Sequence, residues 1–252
     1  MNLYYLFLNA KHKYGETIAI QDHYNHRNIR FSEIIETFHI IGHFLDLNNI
    51  ASGTKVAILA DANSEYLLLD YALMALGRVK VPLDNALSIQ EIQAQLKDAS
   101  ATVLFYSENY AEIANQLTDS GLQCFPISSP YLQNKTEYLV PEIHPNTLLS
   151  LNYTGGSTGQ PKAVMHSHQS MLNVISNIII ARNIKPQDRF LNVRPLWPIA
   201  SVVVLAHILA GGTVILENRF QPNTFMSLLT QYKVAYTSLV PTQLARLLNT
   251  LQ

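Results

Sequence analysis

The chain of 252 residues is 48% apolar and carries 17 basic against 18 acidic residues. That is ample material for a core, and the near-balanced charge excludes the basic stripe of a nucleic-acid-binding surface. The single cysteine, Cys124, excludes an internal disulfide and a Cys-based zinc site, which fits a reducing, cytoplasmic setting.

The opening "MNLYYLFLNAKHKYG" lacks a basic leader and a small-residue cleavage site, and tyrosines interrupt its apolar run. It predicts an amphipathic first helix rather than a signal peptide. "KVAILA" (55–60) is a short β-branched run that reads as a buried strand. "NSEYLLLDYALMALG" (63–77) reads as a helix with Asn63 at its N-cap and Gly77 at its C-cap. "VKVPLD" is a second strand, stopped by its proline. "SIQEIQAQLKDA" is a helix with a capping box from Ser88 to Glu91. "ATVLFYS" is a third strand, followed by a helix over 108–120 and the short strand "QCFPI".

Residues 126–146, "PISSPYLQNKTEYLVPEIHPN", carry four prolines and no period, so they read as a loop or linker. Alternation then resumes with the strand "TLLSLNYT", a glycine loop, and a helix over 167–182. Residues 154–162 are therefore expected to lead from strand to helix. "RFLNVRP", "TVILEN" and "VAYTSLV" are later strands, separated by helices over 199–210, 222–232 and 241–251. The longest apolar runs, "NVISNIIIA" and "SVVVLAHILAGG", fall short of the roughly 20 residues of a membrane span. Strands alternating with helices predict right-handed crossovers: an α/β fold of mostly parallel, doubly wound sheets with helices on both faces.

The glycine loop carries the chemistry. In "LNYTGGSTGQPKAVMHSH" (151–168), Gly155, Gly156 and Gly159 stand among the hydroxyls of Thr154, Ser157 and Thr158, and Lys162 follows. Glycines let backbone N–H groups approach a ligand closely, and a helix start would add donors. Amides, hydroxyls and one cation converging in this way suit a polyphosphate. The spacing is not that of a Walker A loop, because Gln160 and Pro161 separate Gly159 from Lys162 and Ala163 follows. Nor do the glycines match the Rossmann fingerprint. The bland alternative is a flexible connector; the clustered hydroxyls and the trailing Pro-Lys favour phosphate.

"YTGGSTGQPKAVMHSH" resembles the phosphate-binding signature of the adenylate-forming enzymes, which include acyl-CoA synthetases, aryl-acid ligases, luciferases and peptide-synthetase adenylation domains. The usual form is Thr-Ser-Gly-Ser-Thr-Gly-x-Pro-Lys-Gly; this chain departs at Gly155 and Ala163, both small. "GETIAIQD", "IRFSEIIETFHIIGHFL", the run from "KVAILA" to "ATVLF", "LAGGTVILENRFQPNTF" and "YTSLVPTQLARLL" resemble further family segments in order. The resemblance implies the N-terminal part of an AMP-binding domain over 1–252, allowing a division into 1–125 and 147–252 around the linker 126–146.

It also implies a two-step reaction. A carboxylic acid attacks ATP to give acyl-AMP and pyrophosphate, with Mg²⁺ present, and the acyl group then passes to the thiol of CoA or a carrier protein. By this resemblance Thr154, Gly155, Gly156, Ser157, Thr158, Gly159 and Lys162 hold the ATP phosphates, with Lys162 the catalytic cation. "RPLWPIAS" is similar to the stretch bordering the acid pocket, which makes Trp197, Pro198 and Ile199 substrate-binding. Pro198 stands where the family often has histidine. Trp197 offers either a flat apolar wall or simple core packing.

Other residues carry less. His166 and His168 are two apart, would not share a helix face, and are not expected to bind metal. Asp61 and Asp84, at strand ends, read as caps or turn residues. Tyr236 and the Val240, Pro241, Thr242 turn approach the pocket by resemblance only. The family's Tyr-Gly-x-Thr-Glu and Thr-Gly-Asp segments and its C-terminal domain with a catalytic lysine do not occur in these residues. The 252 residues alone are thus expected to lack activity and to self-associate through a truncated face. A non-catalytic α/β binding or interaction module is the alternative; the retained loop and Lys162 favour the enzyme.

Overall fold

The computed structural model describes residues 2–118, 121–132, 136–154 and 162–250. Within them the strands in chain order are β1 (Ile18–Asp22), β2 (Arg27–Arg30), β3 (Lys55–Leu59), β4 (Val79–Pro82), β5 (Val103–Tyr106) and β6 (Gln123–Pro126), then β7 (Leu148–Thr154), β8 (Lys162–Ser167), β9 (Arg189–Asn192), β10 (Thr213–Leu216) and β11 (Tyr236–Thr237). The helices are α1 (Leu3–Tyr14), α2 (Phe31–Leu47), α3 (Ser64–Ala75), α4 (Ile89–Ala99) and α5 (Ala111–Thr118), followed by α6 (His168–Arg182), α7 (Ala200–Leu209), α8 (Pro222–Gln231) and α9 (Pro241–Thr250). None is long and apolar enough, among the described residues, to cross a membrane.

Two sheets result, ordered β11-β9-β10-β1-β2 and β6-β5-β3-β4-β7-β8. All strand pairs are parallel except β1 with β2 and β7 with β8. The largest apolar cluster takes side chains from both sheets and from α1, α2, α3, α6 and α7, so those helices fill the space between the sheets. A second cluster joins the other face of the six-stranded sheet to α4 and α5; a third joins the five-stranded sheet to α8. The α/β architecture with helices on both faces is the one the alternation predicts.

Local chemistry sets the element ends. Asn63 Oδ1 accepts from Tyr66 N at 2.9 Å and starts α3. Gly77 follows its end at φ +76°, where a Cβ would lie 2.7 Å from Ser52 Oγ, so a side chain there is both strained and crowded. Every residue of α3 except Glu65 is buried, as expected of a helix apolar on nearly all sides. The Ser88–Glu91 capping box of α4 is present.

One element departs from expectation. Residues 154–162 were expected to join strand to helix, but Lys162–Ser167 forms a strand, β8, that pairs antiparallel with β7, and α6 begins only at His168. β8 is an edge strand whose Val164 and Met165 are 46% and 73% exposed. With so little of it buried, its sequence shows no apolar alternation, and the ladder to β7 supplies the order instead. The start of α6 therefore lies a whole strand away from the glycine loop. β2, with only Ile29 buried, escaped notice for the same reason.

Candidate functional site

The hairpin is anchored at its base. Leu151 and Tyr153 of β7 point into the second apolar cluster. The Tyr153 hydroxyl donates to Asp98 Oδ2 at 2.7 Å, with the Gln95 carbonyl 3.1 Å away as the alternative acceptor. Burial, with the Asp98 carboxylate beside it, holds the phenol's pKa well above its ordinary value. The next residue, Thr154, is the register partner of Lys162. Both are exposed, so a hydroxyl and an ammonium face each other at the mouth of the hairpin. Lys162 makes no ion pair among the described residues. Gly155, Gly156, Ser157, Thr158 and Gly159 lie outside the described residues.

An exposed hydroxyl and an ammonium without an ion-pair partner among the described residues are donors of the kind a polyphosphate needs. The described residues contain no group of three His, Cys, Asp or Glu that could hold a metal ion. His166 and His168 do not converge. His166 lies in β8 opposite Ser150, whereas His168 opens α6 at 2% exposure. Burial lowers both imidazole pKa values, that of His168 to about 4, and Lys80 lowers His166 further.

The second stretch lies at the same carboxyl edge of the six-stranded sheet. Thr154 ends β7, and Asp84 follows its neighbour β4. The Trp197 Nε1–H donates to Asp84 Oδ1 at 3.2 Å. The indole is 8% exposed and packs on Tyr66 with ring centroids 5.8 Å apart and planes at 49°. The Trp197–Pro198 peptide is cis. Trp197 is thus mostly enclosed, while Pro198 and Ile199 are exposed ahead of α7.

Behind this stretch is a buried polar cluster. Lys80 Nζ lies 2.8 Å from both Asp70 oxygens and 3.3 Å from Ser201 Oγ, and the Tyr71 hydroxyl donates to the Ser201 carbonyl at 2.8 Å. Lys80 and Asp70 are 0% exposed and Ser201 is 1% exposed. Together they tie β4, α3 and α7 under the site. The sequence reading missed this cluster and the Asp84 contact. A signal was present: "VKVPL" and "LLLDYALM" each hold one charge, of opposite sign, in runs too apolar to leave it in water.

The remaining candidates fall elsewhere. Asp61 accepts from Asn109 Nδ2 at 2.8 Å and from the Tyr110 hydroxyl at 3.1 Å. Burial first, then Asp61, pushes the Tyr110 phenol up to about 12. The Tyr236 hydroxyl donates to the Arg182 carbonyl at 2.8 Å. Pro241 and Thr242 open α9.

An exposed hydroxyl and an exposed lysine thus stand in register at the carboxyl edge of a largely parallel sheet in an α/β protein. The chain belongs to the AMP-binding enzyme family, whose profile matches residues 7–252. It is 30% identical over 195 residues to a feruloyl-CoA synthase of Amycolatopsis sp, covering 77% of this chain and 40% of that one. It is 25% identical over 231 residues to a 2-succinylbenzoate–CoA ligase of Bacillus pumilus, covering 91% of this chain and 47% of that one. The chain therefore spans less than half the length of either relative. Among solved structures, a long-chain-fatty-acid CoA ligase from Rhodopseudomonas palustris superposes with a TM-score of 0.90 at 19% identity, over 99% of this chain and 65% of that one. At that identity the likeness establishes the fold alone; the family rests on the match over residues 7–252.

Proposed function

We propose that these residues form the phosphate-gripping and acid-facing part of an enzyme that uses ATP to activate a carboxylic acid and pass it to a thiol. The observation that carries this reading is the pairing of Thr154 with Lys162 across the hairpin mouth, both exposed and Lys162 without an ion-pair partner among the described residues. In the first step a carboxylate oxygen bonds to the α-phosphorus of ATP and the bond to pyrophosphate breaks. Charge accumulates on the leaving oxygens. The Lys162 ammonium and the Thr154 hydroxyl would stabilise it from a fixed frame, with Gly155, Gly156, Ser157, Thr158 and Gly159 supplying further amides and hydroxyls. In the second step a thiolate attacks the acyl carbonyl and AMP leaves.

The two relatives matched by sequence above, a feruloyl-CoA synthase and a 2-succinylbenzoate–CoA ligase, carry aromatic acids and CoA in their names, so an aryl acid and CoA are the first choice here. A linear gramicidin synthase subunit, 25% identical over 235 residues, keeps a carrier-protein thiol as the second. Pro198 and Ile199, exposed beside the enclosed indole, would form the acid-facing wall. Pro198 offers no titratable group, so substrate contacts there are apolar.

The test is acid-dependent ATP–pyrophosphate exchange. The 252 residues alone are expected to show none, because holding both reactants in attack geometry is worth about 7–11 kcal/mol and needs groups beyond these. Joined to the complementary C-terminal portion of the feruloyl-CoA synthase, the chain is expected to exchange pyrophosphate with ferulate. Absence of exchange with every acid tried, together with absence of nucleotide binding, would favour the non-catalytic module.

A further inference from the structure

The indole of Trp197 is held by a carboxylate 113 positions earlier in the chain, over 3.2 Å. That carboxylate is itself held: Asp84 Oδ1 also accepts from Ala86 N at 2.9 Å, within its own turn. Its neighbour Asn85 donates to the Tyr110 hydroxyl, which donates to Asp61. The turns after β3, β4 and β5 are thus linked into one polar brace along the carboxyl edge. The indole ring also packs, tilted, against Tyr66, a fully buried residue of α3. Two anchors of different kinds fix it: a hydrogen bond at Nε1 and a ring contact. The residues that follow, Pro198 and Ile199, are exposed and inherit their position from it.

We propose that Asp84 is a positioning residue for the acid substrate: by fixing Trp197 it sets the wall made by Pro198 and Ile199 and favours flat aryl acids over flexible alkyl ones. This rests on the reading of the site as an acid-activating one. A rigid wall gives a planar acid its contact area with no ordering cost at the protein. A flexible alkyl acid can adapt to a wall that moves, and gains less from rigidity. A hydrogen bond to a charged acceptor is among the stronger ones, so its loss should be felt about tenfold. Asparagine keeps an acceptor at this place; leucine does not.

Trp197 is the only tryptophan, so a ¹⁵N-labelled chain gives one indole cross-peak. Asp84→Leu should move that peak upfield in the proton dimension and speed Nε1–H exchange about tenfold, with Asp84→Asn close to wild type. In the exchange assay with the joined protein, Asp84→Leu should raise the KM for ferulate about tenfold. The KM for hexanoate, the KM for ATP and kcat should stay within twofold, and Asp84→Asn should restore the ferulate KM. In a Trp197→Phe background, which removes the donor, Asp84→Leu should have no further effect. The proposal is overturned if Asp84→Leu leaves the cross-peak and the ferulate KM unchanged, or raises the KM equally in the Trp197→Phe background. A joined protein that exchanges with neither acid overturns the proposed function as well.

Discussion

The polar groups beneath the site and those at its rim are opposites. Beneath it, Lys80 and Asp70 are 0% exposed and neutralise each other at 2.8 Å. At the rim, Lys162 is exposed, with no ion-pair partner among the described residues, beside a threonine hydroxyl. A buried charge left unmatched within the protein destabilises the fold strongly; a solvated one can stay free for a ligand. Lysines of one formal charge thus do two jobs, and burial decides which.

Three perturbations, in order of expected effect on stability, sharpen that contrast. Asp70→Leu leaves the Lys80 ammonium buried and unmatched, and should destabilise the fold by about 3–5 kcal/mol, read as a lowered urea midpoint. Adding Lys80→Met should recover most of the loss, because replacing both partners removes the unmatched charge.

His168 gives the second. Burial depresses its folded-state pKa to about 4 from the ordinary 6.5. Below pH 6.5 the unfolded chain takes up a proton that the folded chain refuses. Its contribution is therefore fully present above about pH 6.5 and is lost progressively as the pH falls towards 4. On the order of 2–3 kcal/mol is at stake. Unfolding free energies measured across that window should flatten in His168→Gln; an unchanged slope would assign the acid sensitivity to other groups.

Lys162→Ala, the third, should change stability by no more than about 0.5 kcal/mol, since an exposed side chain without an internal partner contributes little to folding. The contrast breaks if a thermal melt shows this variant to be as damaged as Asp70→Leu.

The sequence made different parts of this molecule legible to different degrees. α3 and α4 were readable because Asn63 and the Ser88–Glu91 pair are local signals acting within one turn. β4 was readable because its side chains are buried on both faces and leave an apolar run. β8 was not: half-exposed at a sheet edge, it owes its order to β7 rather than to its own pattern. The same error displaced the helix dipole from the loop, so the proposed polyphosphate site draws on Thr154 and Lys162 without it. The Asp84–Trp197 bond was beyond reach, because a contact over 113 positions leaves no periodicity. The single charges in "VKVPL" and "LLLDYALM" were visible, but their pairing appears only when β4 and α3 are folded together.

The most direct measurement is pyrophosphate exchange by the joined protein carrying Lys162→Ala, alongside its melting temperature. Loss of one preorganised donor to a leaving group costs about a hundredfold or more in rate. A hundredfold fall in exchange with an unchanged melting temperature is the predicted result. Exchange that proceeds equally well without Lys162 would contradict the assignment of the hairpin mouth to the phosphates of ATP.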